Sequence, residues 1–119
     1  MDERQALAAF AALGQEHRLR VVRALVTAGP DGLPAGALAE AVGVGATNLS
    51  FHLKELARAG LVLSRREGRS IRYRADFSGL SELIRFLMRD CCQGRPEVCA
   101  PAIAALSPCC PPAEDTARA

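Results

Sequence analysis

At Gly60 the spacing of apolar residues changes from one in every three or four to one in every two, and this switch restricts the folds open to the chain. Before it, Leu7, Phe10 and Leu13 define a helix over 3–13, and Leu19, Val22, Leu25 and Val26 a second over about 16–28. Leu38, Ala41 and Val42 mark a short helix over 35–42, and Leu49, Leu53 and Leu56 another over about 47–59. Gly14, the cluster Gly29-Pro30-Asp31-Gly32 and the run Gly43-Val44-Gly45 punctuate these segments. Thr47 is placed to cap the fourth helix, and Gly60 stands where a helix stop belongs. After the switch, Leu61-Val62-Leu63 begins a strand. Ile71, Tyr73 and Ala75 then alternate with Arg72 and Arg74, across a turn at Glu67-Gly68. Leu80, Leu83, Ile84 and Leu87 restore the helical repeat over 79–92.

Helix, helix, helix–turn–helix, hairpin, helix is the order of a winged helix-turn-helix. The expected fold is mainly α (α+β): about five helices plus a two-stranded β-hairpin wing. From Arg95 onward lie five of the seven prolines, so 95–119 reads as an irregular tail with at most a short helix at 101–106. The expected division is a DNA-binding and dimerisation domain over 1–92 and a Cys/Pro-rich tail over 93–119.

With 119 residues the chain has room for one domain. No apolar stretch is long enough to span a bilayer. The start, Met1-Asp2-Glu3-Arg4, lacks a signal core, so a cytoplasmic protein without membrane contact is expected. Alanine supplies 22 of the apolar residues, with no Trp, one Tyr and four Phe. Such a core is aliphatic and thin, and a homodimer would add the buried area that a small domain lacks.

The net charge of +2 identifies no partner, but its distribution does. Residues 47–74 hold 7 basic and 2 acidic groups, whereas 1–46 hold 4 and 5, and 75–119 hold 4 and 6. The positive excess therefore sits on the fourth helix and the hairpin, the footprint of a polyanion partner. In a helix–turn–helix the second helix enters the major groove. Its outward residues are expected to be Thr47, Asn48, Ser50, Phe51, His52 and Lys54. Asn48 can pair with adenine and Phe51 can touch a thymine methyl, while Thr47, Ser50 and Lys54 suit phosphates. The competing reading is a solvated helix with His52 buried. Arg65, Arg66, Arg69, Arg72 and Arg74 lie on or beside the hairpin, where phosphate and minor-groove contacts account for them. Tyr73 reads as a packing residue.

The segments Leu13-Gly14-Gln15-Glu16-His17-Arg18-Leu19-Arg20, Asn48-Leu49-Ser50-Phe51-His52-Leu53-Lys54-Glu55-Leu56, Ala59-Gly60-Leu61-Val62 and Arg66-Glu67-Gly68-Arg69 with Tyr73 resemble the ArsR/SmtB family of metalloregulatory repressors over about residues 4–92. The resemblance implies a homodimer built from the first and last helices. It also implies operator binding without inducer, release by a thiophilic ion, and a structural role for Arg18. Two sensing sites common in the family are missing. Leu33-Pro34-Ala35-Gly36-Ala37-Leu38 holds no Cys, and the last helix holds no His, the only two being His17 and His52.

What remains is a set of five cysteines, Cys91, Cys92, Cys99, Cys109 and Cys110, all beyond residue 90. They resemble the C-terminal thiolates of arsenic and antimony sensors of the family. An odd count without a signal segment favours metal-binding or reactive thiols over structural disulfides. Trivalent As(III), Sb(III) or methylarsenite suits an all-sulfur site, whereas zinc usually takes four ligands that include His or carboxylate. No organic cofactor is expected. Arg89 and Arg95 nearby favour thiolate. Two geometries are open: Cys91, Cys92 and Cys99 within one subunit, or Cys99 of one subunit meeting Cys109 or Cys110 of the other, with Cys99 and Cys109 the preferred ligands and Cys110 a third. The second is preferred, because Cys91 continues the apolar face of the last helix and can serve as a core thiol. A redox-sensing repressor that forms disulfides is the alternative. A small thiol enzyme ranks last, since a Pro-flanked tail offers neither base nor oxyanion donor.

Overall fold

The computed structural model describes residues 1–89 together with 97, 100, 101, 104 and 105. The chain divides into two units, Met1–Phe86 and Leu87–Ala119. Within the described residues the elements run α1 (Glu3–Leu13), α2 (Glu16–Ala28), a 3-10 turn (Gly29–Asp31), β1 (Leu33–Pro34), α3 (Ala35–Val42), α4 (Ala46–Arg58), β2 (Val62–Glu67), β3 (Ser70–Ala75) and α5 (Phe77–Met88). Residues 97, 100, 101, 104 and 105 are helical and exposed. Five helices and a three-stranded antiparallel sheet form a winged helix-turn-helix.

Local chemistry sets the helix starts. Asp2 accepts from Gln5 N–H, and Gln5 Oε1 accepts from Asp2 N–H, both at 2.8 Å, a reciprocal cap on α1. Gln15 Oε1 accepts from Arg18 N–H at 2.9 Å to begin α2. Thr47 does not cap α4: the cap is Gly45, with no side-chain bond, and Thr47 lies inside the helix. At the other end Leu61 N–H reaches Leu56 O and Gly60 N–H reaches Ala57 O, each at 3.0 Å. Gly60, at φ +81°, supplies the left-handed residue that this stop requires.

Two expectations about elements need correction. The sheet has three strands in the order β1-β3-β2, with Leu33 opposite Tyr73 and Pro34 opposite Arg72. β1 is two residues long, too short to show a period, and Pro34 is tolerated because the strand is at an edge. The last helix starts at Phe77, ahead of residue 79, because Asp76 Oδ1 accepts from Gly79 N–H at 3.0 Å directly after β3. The stretch 90–92, assigned to this helix from sequence, lies outside the described residues.

The core gathers Ala6, Ala9 and Ala12 of α1, Val21, Val22 and Leu25 of α2, Leu38 and Val42 of α3, and Leu49, Leu53 and Leu56 of α4, closed by Leu61, Val62, Ala75 and Leu83. α1 therefore packs mainly through its alanines; of the bulkier stripe that revealed it, Leu13 is partly buried against the core while Leu7 and Phe10 are exposed. Leu7 is 62% exposed and Phe10 39%. On α5, Leu83 is buried while Ile84 and Leu87 are 51% and 61% exposed. Leu19 and Val26 of α2 and Ala41 of α3, part of the apolar spacing that marked those helices, are also exposed.

Candidate nucleic-acid interface

α3 ends at Gly43 in the left-handed conformation, and both Gly43 and Val44 N–H groups bond Ala39 O. The chain can then reverse and start α4 at Ala46. Leu49, Leu53 and Leu56 pin α4 to the core through one face. The opposite face exposes Thr47, Asn48, Ser50, Phe51 and Lys54, and Phe51 is 57% exposed. Side chains at 47, 51 and 54 fall in one row along the helix, since residues three and four apart share a face.

His52 departs from the sequence reading. It is buried at 9% exposure, and its Nδ1 accepts from Arg18 Nε–H at 3.2 Å. Burial, then the neighbouring Arg18 and His17 charges, hold its imidazole below the usual histidine pKa. It belongs to the packed side of α4, not to the outward row.

The wing is organised by Glu67. Its Oε1 accepts from Arg72 Nε–H at 2.9 Å and its Oε2 from Arg65 at 2.7 Å. The reason is register: Arg65 pairs with Arg72 across the ladder, and Glu67, two residues on from Arg65, shares their face. The bonds from Arg72, then Arg65, hold the Glu67 carboxyl below the ordinary carboxylate range. Arg72 also donates through Nη1 to Asp31 O at 3.2 Å and Gly32 O at 3.4 Å. It ties the wing to the turn before β1, so its guanidinium is engaged within the protein. Glu67 pairs with Ser70, so the hairpin loop is Gly68-Arg69, one residue beyond the turn read from sequence. This puts Arg69 at the tip. Arg66, Arg69 and Arg74 are exposed, and among the described residues no carboxylate pairs with them.

An exposed helix with hydrogen-bonding side chains, beside a hairpin with outward guanidinium groups, can read base edges with one element and hold phosphates with the other. Residues 13–65 match the helix-turn-helix domain family. An ArsR-like transcriptional regulator from Rhodococcus sp. RHA1 superposes with a TM-score of 0.65 at 32% identity, covering 85% of this chain and 92% of that one. The chain belongs to the ArsR-like helix-turn-helix transcriptional regulators. The antimony-specific transcriptional repressor AntR is a further structural match of this regulator, with a TM-score of 0.55 at 33% identity over 68% of this chain and 72% of that one. A curated relative, the uncharacterized HTH-type transcriptional regulator YceK of Bacillus subtilis (strain 168), is 36% identical over 61 residues. The regulator spans 60% of the length of YceK in that match. Its fold and its relatives are those of DNA-binding transcriptional regulators.

No group of three or more His, Cys, Asp or Glu that could hold a metal ion is found among the described residues. Cys91, Cys92, Cys99, Cys109 and Cys110 lie outside them. No helix among the described residues is long and apolar enough to cross a membrane. Sequence reasoning missed Glu67 as the organiser of the wing, although strand alternation places it beside two arginines. It also missed the pairing of Arg18 with His52, which no local pattern announces.

Proposed function

We propose that this regulator is a repressor that binds operator DNA as a homodimer and is released when Sb(III) or As(III) binds its C-terminal thiolates. The observation that carries the DNA reading is the exposed row Thr47, Asn48, Phe51 and Lys54 on α4, set in one domain with a wing whose Arg66, Arg69 and Arg74 lack carboxylate partners among the described residues. Asn48 and Phe51 read bases; Thr47, Ser50, Lys54 and the wing arginines hold phosphates. The homodimer reading is supported by large apolar side chains left exposed on α1 and α5.

The inducer reading rests on the donor set and on similarity to AntR. Cys99, Cys109 and Cys110 are the preferred ligands, ahead of Cys91 and Cys92, and an all-thiolate set matches a soft trivalent ion. Ion and DNA are then linked by a coupling free energy that acts on dimer geometry. Two recognition helices must meet successive major grooves about 34 Å apart. A tenfold loss of DNA affinity needs only about 1.4 kcal/mol.

The test is fluorescence anisotropy of the reduced protein on a duplex from its own promoter, titrated with antimonite. Release near stoichiometric ion, abolished in Cys99→Ser and Cys109→Ser, is the expected result. Release by peroxide and reversal by reductant, with no response to antimonite, would replace the inducer with disulfide chemistry and leave the DNA reading standing.

A further inference from the structure

A polar cluster lies on the packed side of α4, beneath its exposed row. Arg18 reaches across from α2, its Nε–H donating to His52 Nδ1 at 3.2 Å. Its guanidinium carbon stands 5.5 Å from the centre of the Phe51 ring, within range of a cation–π contact. The rings of His17 and His52 are 5.7 Å apart. Arginine is a donor only. His52 Nδ1 must therefore offer a lone pair, which makes the ring neutral with its proton on Nε2. An imidazolium would instead turn an N–H toward the Arg18 N–H.

We propose that Arg18 and His52 are a positioning pair for the DNA-reading helix, and that protonating His52 breaks the pair, frees the Phe51 ring and releases DNA. The proposal rests on the reading of α4 as the groove-entering helix. On acidification the bond from Arg18 is lost, and the guanidinium that lies over Phe51 is repelled from the ring beside it. The charges bearing on His52 come from α2, as Arg18 and His17. The other elements packed on α4 bury apolar groups, with Ala12 from α1, Leu38 and Val42 from α3 and Val62 from β2. On α4 itself Glu55 pairs with Arg58 at 3.3 Å. A proton added to His52 thus meets the fixed Arg18 cation, with the His17 ring 5.7 Å away. Burial and those two neighbours hold the ring neutral to lower pH than an exposed histidine.

The sign of the effect makes it distinctive. Acidification makes a protein more positive, which by itself tightens binding to a polyanion. Glu67, held below the ordinary carboxylate range by Arg72 and Arg65, keeps its charge under mildly acid conditions, so the wing does not change. Loss of DNA on acidification therefore runs against the general electrostatic trend.

The experiment is anisotropy of the full chain on its promoter duplex from about pH 7.5 to about pH 5.0, a range carried well below the ordinary histidine pKa because His52 is held beneath it. The wild-type Kd is expected to rise about tenfold, a change of about 1.4 kcal/mol. His52→Asn offers an amide oxygen near the Nδ1 position and does not titrate, so its Kd is expected to stay within about threefold, under 1 kcal/mol. Equal weakening of both proteins overturns the proposal, as does wild-type binding that is indifferent to pH. NMR of the wild-type imidazoles supplies a readout that needs no variant. The His52 titration must share its midpoint with DNA release, and a midpoint a full pH unit away overturns the proposal. Wild-type protein that is folded by circular dichroism yet binds no duplex at either pH sinks the DNA reading itself, an outcome separate from failure of the pair.

Discussion

Single side chains divide here into those that hold the fold and those left for contact with something else. Leu56 is fully buried in the last turn of α4. Leu56→Ala is expected to cost about 2–5 kcal/mol, because a cavity is added to the lost transfer energy. Urea unfolding measures it, with the midpoint falling and the slope unchanged. Gly79 is constrained in the opposite way: a Cβ there would run into the backbone carbonyl of Gly60, where α5 crosses the end of α4. Gly79→Ala should destabilise by roughly 1–3 kcal/mol, as overpacking does, and lower the melting temperature. His52 links residue chemistry to pH. Its folded pKa is lowered, so the unfolded chain takes up the proton first as pH falls. Its contribution is complete above about pH 6.5, the unperturbed value, and is lost as pH falls through the folded pKa. Urea denaturation across that range should show wild-type stability declining, with a flatter profile for His52→Asn.

At the scale of elements, the wing behaves as a charge-balanced unit, and this gives paired predictions of opposite sign. Arg69 sits in the hairpin loop, and Arg69→Gln should weaken DNA binding across sequences and reduce the salt slope by about 1. Glu67→Gln frees Arg65 from its 2.7 Å partner and removes a negative charge, so binding to unrelated duplexes should strengthen and the slope steepen. Anisotropy at several salt concentrations on a scrambled duplex measures both. The extent of each element could be read from sequence where its signals were local. α1 through α4 fall within a residue of their expected bounds, because glycines, caps and the helical repeat lie inside the segments themselves. β1 could not be read, since two residues carry no period and its existence depends on the open edge of β3. The site divides in the same way. The outward row of α4 follows from its helical period. His52 sits at the border of the apolar arc, and its orientation is decided by Arg18, 34 residues earlier. Arg72 is likewise drawn inward by the carbonyl of Asp31, 41 residues away, while Arg66 and Arg69 have no such anchor among the described residues.

For the whole molecule, the arithmetic of exposed apolar surface argues for a second copy. α1 spends its alanines on its own core and leaves Leu7 and Phe10 outside; α5 buries Leu83 and leaves Ile84 and Leu87 outside. A helix whose small residues face its own core and whose large residues face outward is built to be covered from both sides. Covering such a stripe contributes about 1.5–3 kcal/mol for each large side chain taken fully from water. A two-fold dimer uses the same patch on both protomers, so a substitution there counts twice. Leu7→Asp should therefore leave the protomer fold nearly intact, within about 0.5 kcal/mol for an exposed site. The same change would bury two carboxylates at the interface, at a cost of several kcal/mol, and should raise the dimer dissociation constant at least a hundredfold. Sedimentation velocity at micromolar concentration should show wild-type dimers and Leu7→Asp monomers, with circular dichroism unchanged. The variant should retain weak, salt-sensitive attraction to DNA through α4 and the wing of each protomer. It should lose the tight binding that comes from engaging two half-sites at once, where the second contact is made at high effective concentration. If Leu7→Asp stayed dimeric and bound operator as the wild type does, the apolar stripe of α1 would have no part in assembly. Any metalloid coupling would then have to act through another contact between protomers.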